Sequence, residues 1–172
     1  MTEQPIRPAA TVIIARAAAP QYEILMLRRT NAAVFAGGMY VFPGGKIDEA
    51  DADPELINYF SPLGTPQRLQ QKALGEAWQS CWVAGIRETF EESGILLAYT
   101  EDGALADTSN MNLDQARAEI HAGSLTLKAL CAREQFVEFG EAEGGGSFIA
   151  AQDQSCSNGW AMIASASPAR TL

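Results

Sequence analysis

Long apolar runs are missing: no stretch of the chain comes near eighteen consecutive apolar side chains, so the sequence predicts no membrane span. Met1 to Pro8 carries charge and two prolines but no apolar h-region, which reads against export. Basic charge is scarce. Against 12 Lys and Arg stand 21 Asp and Glu, a formal net charge of −9. Nucleic-acid backbones and anionic membranes both attract a basic surface, so neither is an expected partner. Cysteine is limited to Cys81, Cys131 and Cys156, an odd set with no C-x-x-C spacing, and Cys81 falls inside a predicted helix. That pattern favours a reduced, cytoplasmic protein without a disulfide framework or a zinc site. No internal repeat is present, and the single histidine, His121, reads as a surface residue. What remains is 172 residues, 47% apolar and 19% charged, enough for one main domain with a sizeable core.

The informative part is Arg87-Glu88-Thr89-Phe90-Glu91-Glu92-Ser93-Gly94-Ile95, together with Phe42-Pro43-Gly44-Gly45 and Asp51. The pattern over Glu76 to Ser93 predicts a helix. Trp82, Val83, Ile86 and Phe90 fall on one side of it, and Gly94 is a natural C-terminal stop. Glu88, Glu91 and Glu92 stand at i, i+3 and i+4, so three carboxylates crowd the opposite face. Such like charges repel one another. A hard, oxygen-seeking cation such as Mg²⁺ or Mn²⁺ would turn the repulsion into ligation, and such ions also bind substrate phosphates. The three acids are therefore expected to converge on a metal that meets a diphosphate.

Two β-branched runs, Ala10 to Ala15 and Tyr22 to Leu27, predict strands, and Met39 to Phe42 predicts a third. Pro43-Gly44-Gly45 closes that third strand with a sharp turn or a close backbone approach. Pro54 to Phe60 predicts a short helix, and Thr65-Pro66 starts another. Ile95 to Tyr99 reads as a strand, and Asn112 to Glu119 and Leu125 to Arg133 as helices. After residue 134 no period of 2 or 3.6 is sustained. Residues 134–172 are expected to form a divergent, loosely ordered tail behind a domain of residues 1–133.

With these residues in place, the chain resembles the Nudix hydrolases. Their signature is a glycine, five residues, a glutamate, seven residues, then R-E-U-x-E-E-x-G-U, where U is a bulky apolar residue. Arg87, Glu88, Phe90, Glu91, Glu92, Gly94 and Ile95 fit the second half. In the first half Gly45 is followed after five residues by Asp51 in place of glutamate. Thirty-five residues then separate Asp51 from Arg87, which implies an insertion of 28, residues 52–79. Loop closure costs little per added residue, so the insertion is tolerable if both halves return to one geometry. Leu25-Met26-Leu27-Arg28-Arg29-Thr30, Gly38 and Phe42 to Gly45 further resemble the coenzyme A diphosphatase type, although Val34 stands where that type carries an arginine.

The resemblance implies an α/β fold, an α/β/α sandwich around a mixed sheet, here lacking recognisable strands after Arg133. It implies metal ligation by Glu88, Glu91 and Glu92 to Mg²⁺ or Mn²⁺, with Glu88, Arg87 and Glu91 as catalytic residues. Gly44 and Gly45 are expected to border the metal. Arg28 and Arg29 are either phosphate contacts or a solvent-facing strand end, and Asp51 is either part of the site or a cap for the Pro54 helix. The implied reaction cleaves the diphosphate of coenzyme A, an acyl-coenzyme A or a related nucleoside diphosphate derivative, a small-molecule partner. Two rivals stand beside it: a catalytically impaired ligand-binding or interaction domain, and an incomplete fold that survives as a homodimer because an open sheet edge seeks a partner.

Overall fold

Ala9–Ala18 forms a ten-residue strand, β1, whose alternation sets the core: Ala10, Val12 and Ile14 are buried, while Ala9 and Thr11 are exposed. A computed structural model describes residues 8–18, 20–32, 37–60, 63, 65–98, 106–134, 149–151 and 160–167. Both edges of β1 are used. On one edge β2 (Gln21–Ile24) pairs with its second half and β5 (Gly44–Lys46) with its first. Along the other edge runs β7 (Trp160–Ser167), in register from Ala9 opposite Ser167 to Arg16 opposite Trp160, and β6 (Ile149–Ala151) lies outside it. A separate two-residue ribbon joins β3 (Leu27–Arg28) to β4 (Tyr40–Val41). All these pairings are antiparallel.

Two sequence expectations need correction. The stretch after residue 134, read as a tail without strands, contributes β6 and β7, and β7 covers one edge of β1. Small residues such as Ala161, Ala164, Ser165 and Ala166 give no hydrophobic signal. A strand paired along its full length with a buried neighbour takes its stability from the ladder and needs no strong side-chain pattern. Conversely, Ile95–Ala98, read as part of a strand, is irregular backbone with Leu97 and Ala98 buried; Tyr99 lies outside the described residues. Neither edge of β1 was open to it.

Four helices follow: α1 (Thr65–Leu74), α2 (Trp78–Ser93), α3 (Leu113–His121) and α4 (Leu127–Glu134). The α/β character read from the sequence is what forms. Helix α2 lies directly on β1, so closely that a Cβ added at Gly85 would stand 3.0 Å from Val12 Cγ2. Trp82, Val83, Ile86 and Phe90 are buried as expected, and so is every other residue from Cys81 to Arg87, which makes α2 the central helix of the core. Its last turn closes at Gly94, where φ is 77° and the N–H donates to Phe90 O at 2.9 Å. Among the described residues no helix is long and apolar enough to cross a membrane.

The inserted stretch is woven into this core. Pro54–Tyr59 forms a 3-10 helix whose Leu56 is buried in the core, and Trp78 packs 5.5 Å from Phe60 and 5.7 Å from Trp82, ring centre to ring centre. Lys128 of α4 fastens it, with Nζ 2.8 Å from Asp53 Oδ2 and a second bond to Glu55. The Lys128 hydrogen bond holds the Asp53 carboxyl below its ordinary 3.8, and the same bond raises the Lys128 pKa above 10.5. Asp53 thus contributes stability above pH 3.8 and loses it as pH falls through its depressed pKa, whereas the Lys128 contribution fades only on the alkaline side of 10.5. The Tm difference between the protein and its Lys128→Met variant is expected to hold constant from about pH 5 to 9 and to shrink below about pH 4. A difference that instead grows on acidification would contradict this pairing.

Candidate active site

Strand β5 and helix α2 bring the two halves of the motif together. Gly44 and Gly45 do not form a free turn; they open β5, opposite Thr11 and Ala10. Gly44 has φ 151°, and a Cβ there would lie 2.3 Å from Ala10 O, so only glycine allows this approach. At Gly45 a Cβ would occupy the place of the Glu88 carboxylate, 2.3 Å from Oε1 and 2.6 Å from Oε2. The Gly44 N–H donates to Glu92 Oε2 at 3.1 Å. Residues separated by more than forty positions thus stack a glycine backbone on two carboxylates.

Arg87 is the hub of the motif. Its Nε donates to Asp51 Oδ1 at 2.9 Å and its Nη2 to Asp51 Oδ2 at 2.8 Å, a bidentate pair. Nη1 donates to Glu91 Oε1 at 2.9 Å and Glu88 Oε1 at 3.1 Å, and Nη2 also donates to Lys46 O at 2.9 Å. The pair is buried, with side-chain exposures of 10% for Arg87 and 2% for Asp51. Burial works against the guanidinium charge, but hydrogen bonds to Asp51 and then Glu91 hold its pKa above the ordinary arginine value. Asp51, open on sequence between two roles, pairs with Arg87 and also accepts from Asp48 N at 2.8 Å. The cap of the Pro54 segment is Asp53, whose Oδ1 accepts from Glu55 N at 2.9 Å.

The three helix acids differ in surroundings. Glu88 is half-buried; burial raises its carboxyl pKa and Arg87 pulls it back. Glu92 is exposed beside Gly44. Glu91 turns toward Arg87, with Oε2 3.5 Å from His121 Nδ1. Among the described residues no group of three or more His, Cys, Asp or Glu stands together as a metal site. Arg87 takes over part of the charge compensation that the sequence reading gave to a cation, by placing Nη1 between Glu88 and Glu91. Arg28 and Arg29 stand apart, exposed on the β3 side of the ribbon, and none of the hydrogen bonds described joins them to this group.

Arg117 of α3 was not legible in the sequence. Its Nε donates to Glu91 O at 2.6 Å and its Nη2 to Glu92 O at 2.9 Å, so a cation caps the carbonyl end of α2 where the backbone carries both acids. A basic residue in a later helix gives no sequence signal of such a reach. Arg117→Met is expected to lower stability by about 1–2 kcal/mol, the range for a cation at a partly buried helix C-terminus, as measured by urea unfolding. No loss would show that these carbonyls are satisfied without it.

No family model matches the chain. Over 110 residues it is 30% identical to the acyl-coenzyme A diphosphatase NUDT19 of Xenopus laevis, covering 52% of this chain and 29% of that one. Over 114 residues it is 31% identical to putative nudix hydrolase 7 of Caenorhabditis elegans, covering 66% of this chain and 30% of that one. A crystal structure of a Nudix hydrolase from Alicyclobacillus acidocaldarius superposes with a TM-score of 0.58 at 26% identity, covering 78% of this chain and 57% of that chain. Sequence and fold alike support a Nudix family protein. It resembles the coenzyme A diphosphatase type, and it spans 29 to 32% of the length of the curated relatives it matches. Asp51 stands where the signature has glutamate and meets Arg87 with both oxygens, across the insertion.

The residues around Gly44 and Gly45 fit a hard divalent cation in chemical type. The donors are carboxylate and carbonyl oxygens, with no sulfur, and the space a Cβ would fill is given over to the Glu88 carboxylate.

Proposed function

We propose that the protein is a metal-dependent diphosphatase that cleaves coenzyme A, an acyl-coenzyme A or a related nucleoside diphosphate derivative. The observation that supports it most is the stacking of the Gly44–Gly45 backbone on Glu88 and Glu92, with Arg87 locked beneath. Glu88 and Glu92 would hold Mg²⁺ or Mn²⁺ beside the glycines, and Glu91, paired with Arg87 in this arrangement, is the third acid of the set. The bound ion supplies charge neutralisation at the diphosphate and a water of lowered pKa. Gly44 and Gly45 keep side chains out of the space the diphosphate needs. Arg87 positions Glu88 and Glu91, and the buried pair with Asp51 fixes its planar group so that both acids are presented without reorganisation. Arg28 and Arg29, on the ribbon that leads into Phe42 and Pro43, contact the outer phosphate of the nucleotide half. The leaving group is a nucleotide or a phosphopantetheine phosphate.

The resemblance to an acyl-coenzyme A diphosphatase supports the substrate class. Incubation with Mg²⁺ or Mn²⁺ and a panel of coenzyme A, an acyl-coenzyme A, NADH and ADP-ribose, followed by detection of released monophosphates, tests the reading. Turnover of the coenzyme A members is the expected result. A second reading, a ligand-binding domain without turnover, is favoured by the hydrogen bonds from Arg87 Nη1 that already engage one oxygen each of Glu88 and Glu91. A flat panel with retained metal binding would favour it.

A further inference from the structure

A cleft of ≈ 350 Å³ lies between the Asp48–Asp51 segment, the side of α2 that carries Arg87 and Glu91, and the connection from α3 to α4. Its floor is aliphatic, made by Leu56, Val83, Ile120 and Leu127, all buried side chains. Leu56 comes from the insertion, so the inserted stretch builds part of a wall beside the active site. The charges lining the cleft are already matched: Asp51, Glu91 and, at 3.5 Å, Asp48 by Arg87, and Lys128 by Asp53 and Glu55. A charged ligand would have to compete with these pairs and would find little unmatched counter-charge, at a desolvation cost. An uncharged chain of methylenes and amides meets neither obstacle. The aliphatic floor accepts its methylenes, and a rim of Ala122, Gly123 and Thr126, all exposed, offers backbone groups and a hydroxyl to its amides.

We propose that this cleft receives the uncharged arm of the substrate, a chain of amides and methylenes, while the diphosphate lies at Glu88 and Glu92. The proposal rests on the diphosphatase reading above. Glu91 connects the two regions, since it lines the cleft and neighbours both acids on α2. The cleft then distinguishes substrates by the arm beyond the diphosphate.

Amide NMR of the full chain titrated with pantetheine, a neutral arm without phosphate, tests the cleft independently of hydrolysis. The expected result is shifts concentrated at residues 122–128, with none there for AMP. Ala122, at the rim with φ −80° and ψ −6°, takes a larger side chain without backbone strain. Ala122→Trp is expected to weaken pantetheine binding at least tenfold. It should also raise KM for coenzyme A about tenfold with kcat unchanged, and leave ADP-ribose, whose arm is a short sugar, unaffected. Thr126→Phe serves as the second variant. Pantetheine shifts lying elsewhere, or equal effects on coenzyme A and ADP-ribose, would overturn the cleft assignment. Shifts at 122–128 in a protein that cleaves no diphosphate would uphold the cleft and reject the diphosphatase reading.

Discussion

Glu92→Gln is expected to reduce metal-dependent hydrolysis on the order of a thousandfold, about 4 kcal/mol of activation free energy, while leaving Tm nearly unchanged. Glu92 is exposed, and its recorded contact is the hydrogen bond accepted from Gly44 N at 3.1 Å. Glutamine keeps an acceptor oxygen for that bond, so packing and backbone persist while the negative charge is removed. A side chain that merely decorated the surface would lose nothing. Steady-state kinetics at saturating Mg²⁺, beside a melting curve, separates these cases, and unchanged kcat would remove Glu92 from the site.

The second large effect is one of stability. Asp51→Ala is expected to cost about 3 kcal/mol, the lower end of the range for breaking one partner of a buried ion pair. The lower end applies because Arg87 keeps Glu88, Glu91 and the Lys46 carbonyl. The guanidinium nonetheless loses two hydrogen bonds, from Nε and Nη2, in a place where water does not replace them. Urea unfolding at neutral pH measures the loss. Turnover should fall as well, because Arg87 freed from Asp51 no longer holds Glu88 and Glu91 in one arrangement. A cost below about 1 kcal/mol would mean the pair behaves as a surface ion pair.

How much of this was legible depended on how local the information was. The α2 motif was readable because helix spacing alone fixes which acids share a face, and Gly94 announced the end of the helix. The fit of Gly44 against β1 was readable only as one of two choices, since a sharp turn and a close approach both ask for glycine. Strand β7 was not readable: its pairing with β1 is a contact between residues about 150 positions apart, made by backbone groups that every residue carries. Arg117 was missed for the same reason, because its partners are carbonyls of another helix. How the three acids pair was not readable. Helix spacing says which face the acids share, but not that Arg87, at the start of the same run, would draw Glu91 and Glu88 to itself. The insertion was located by counting, yet that Leu56 joins the core is a tertiary fact that no spacing reveals.

Everything functional here turns on Glu88 and Glu92 meeting a divalent ion at the Gly44–Gly45 backbone. Electron paramagnetic resonance of Mn²⁺ titrated into the full chain, and into Glu88→Gln and Glu92→Gln, is the most direct measurement. The expected result is one or more bound ions in the unaltered protein, with affinity falling at least tenfold in each variant while the fold persists. Equal Mn²⁺ binding by all three proteins would contradict it.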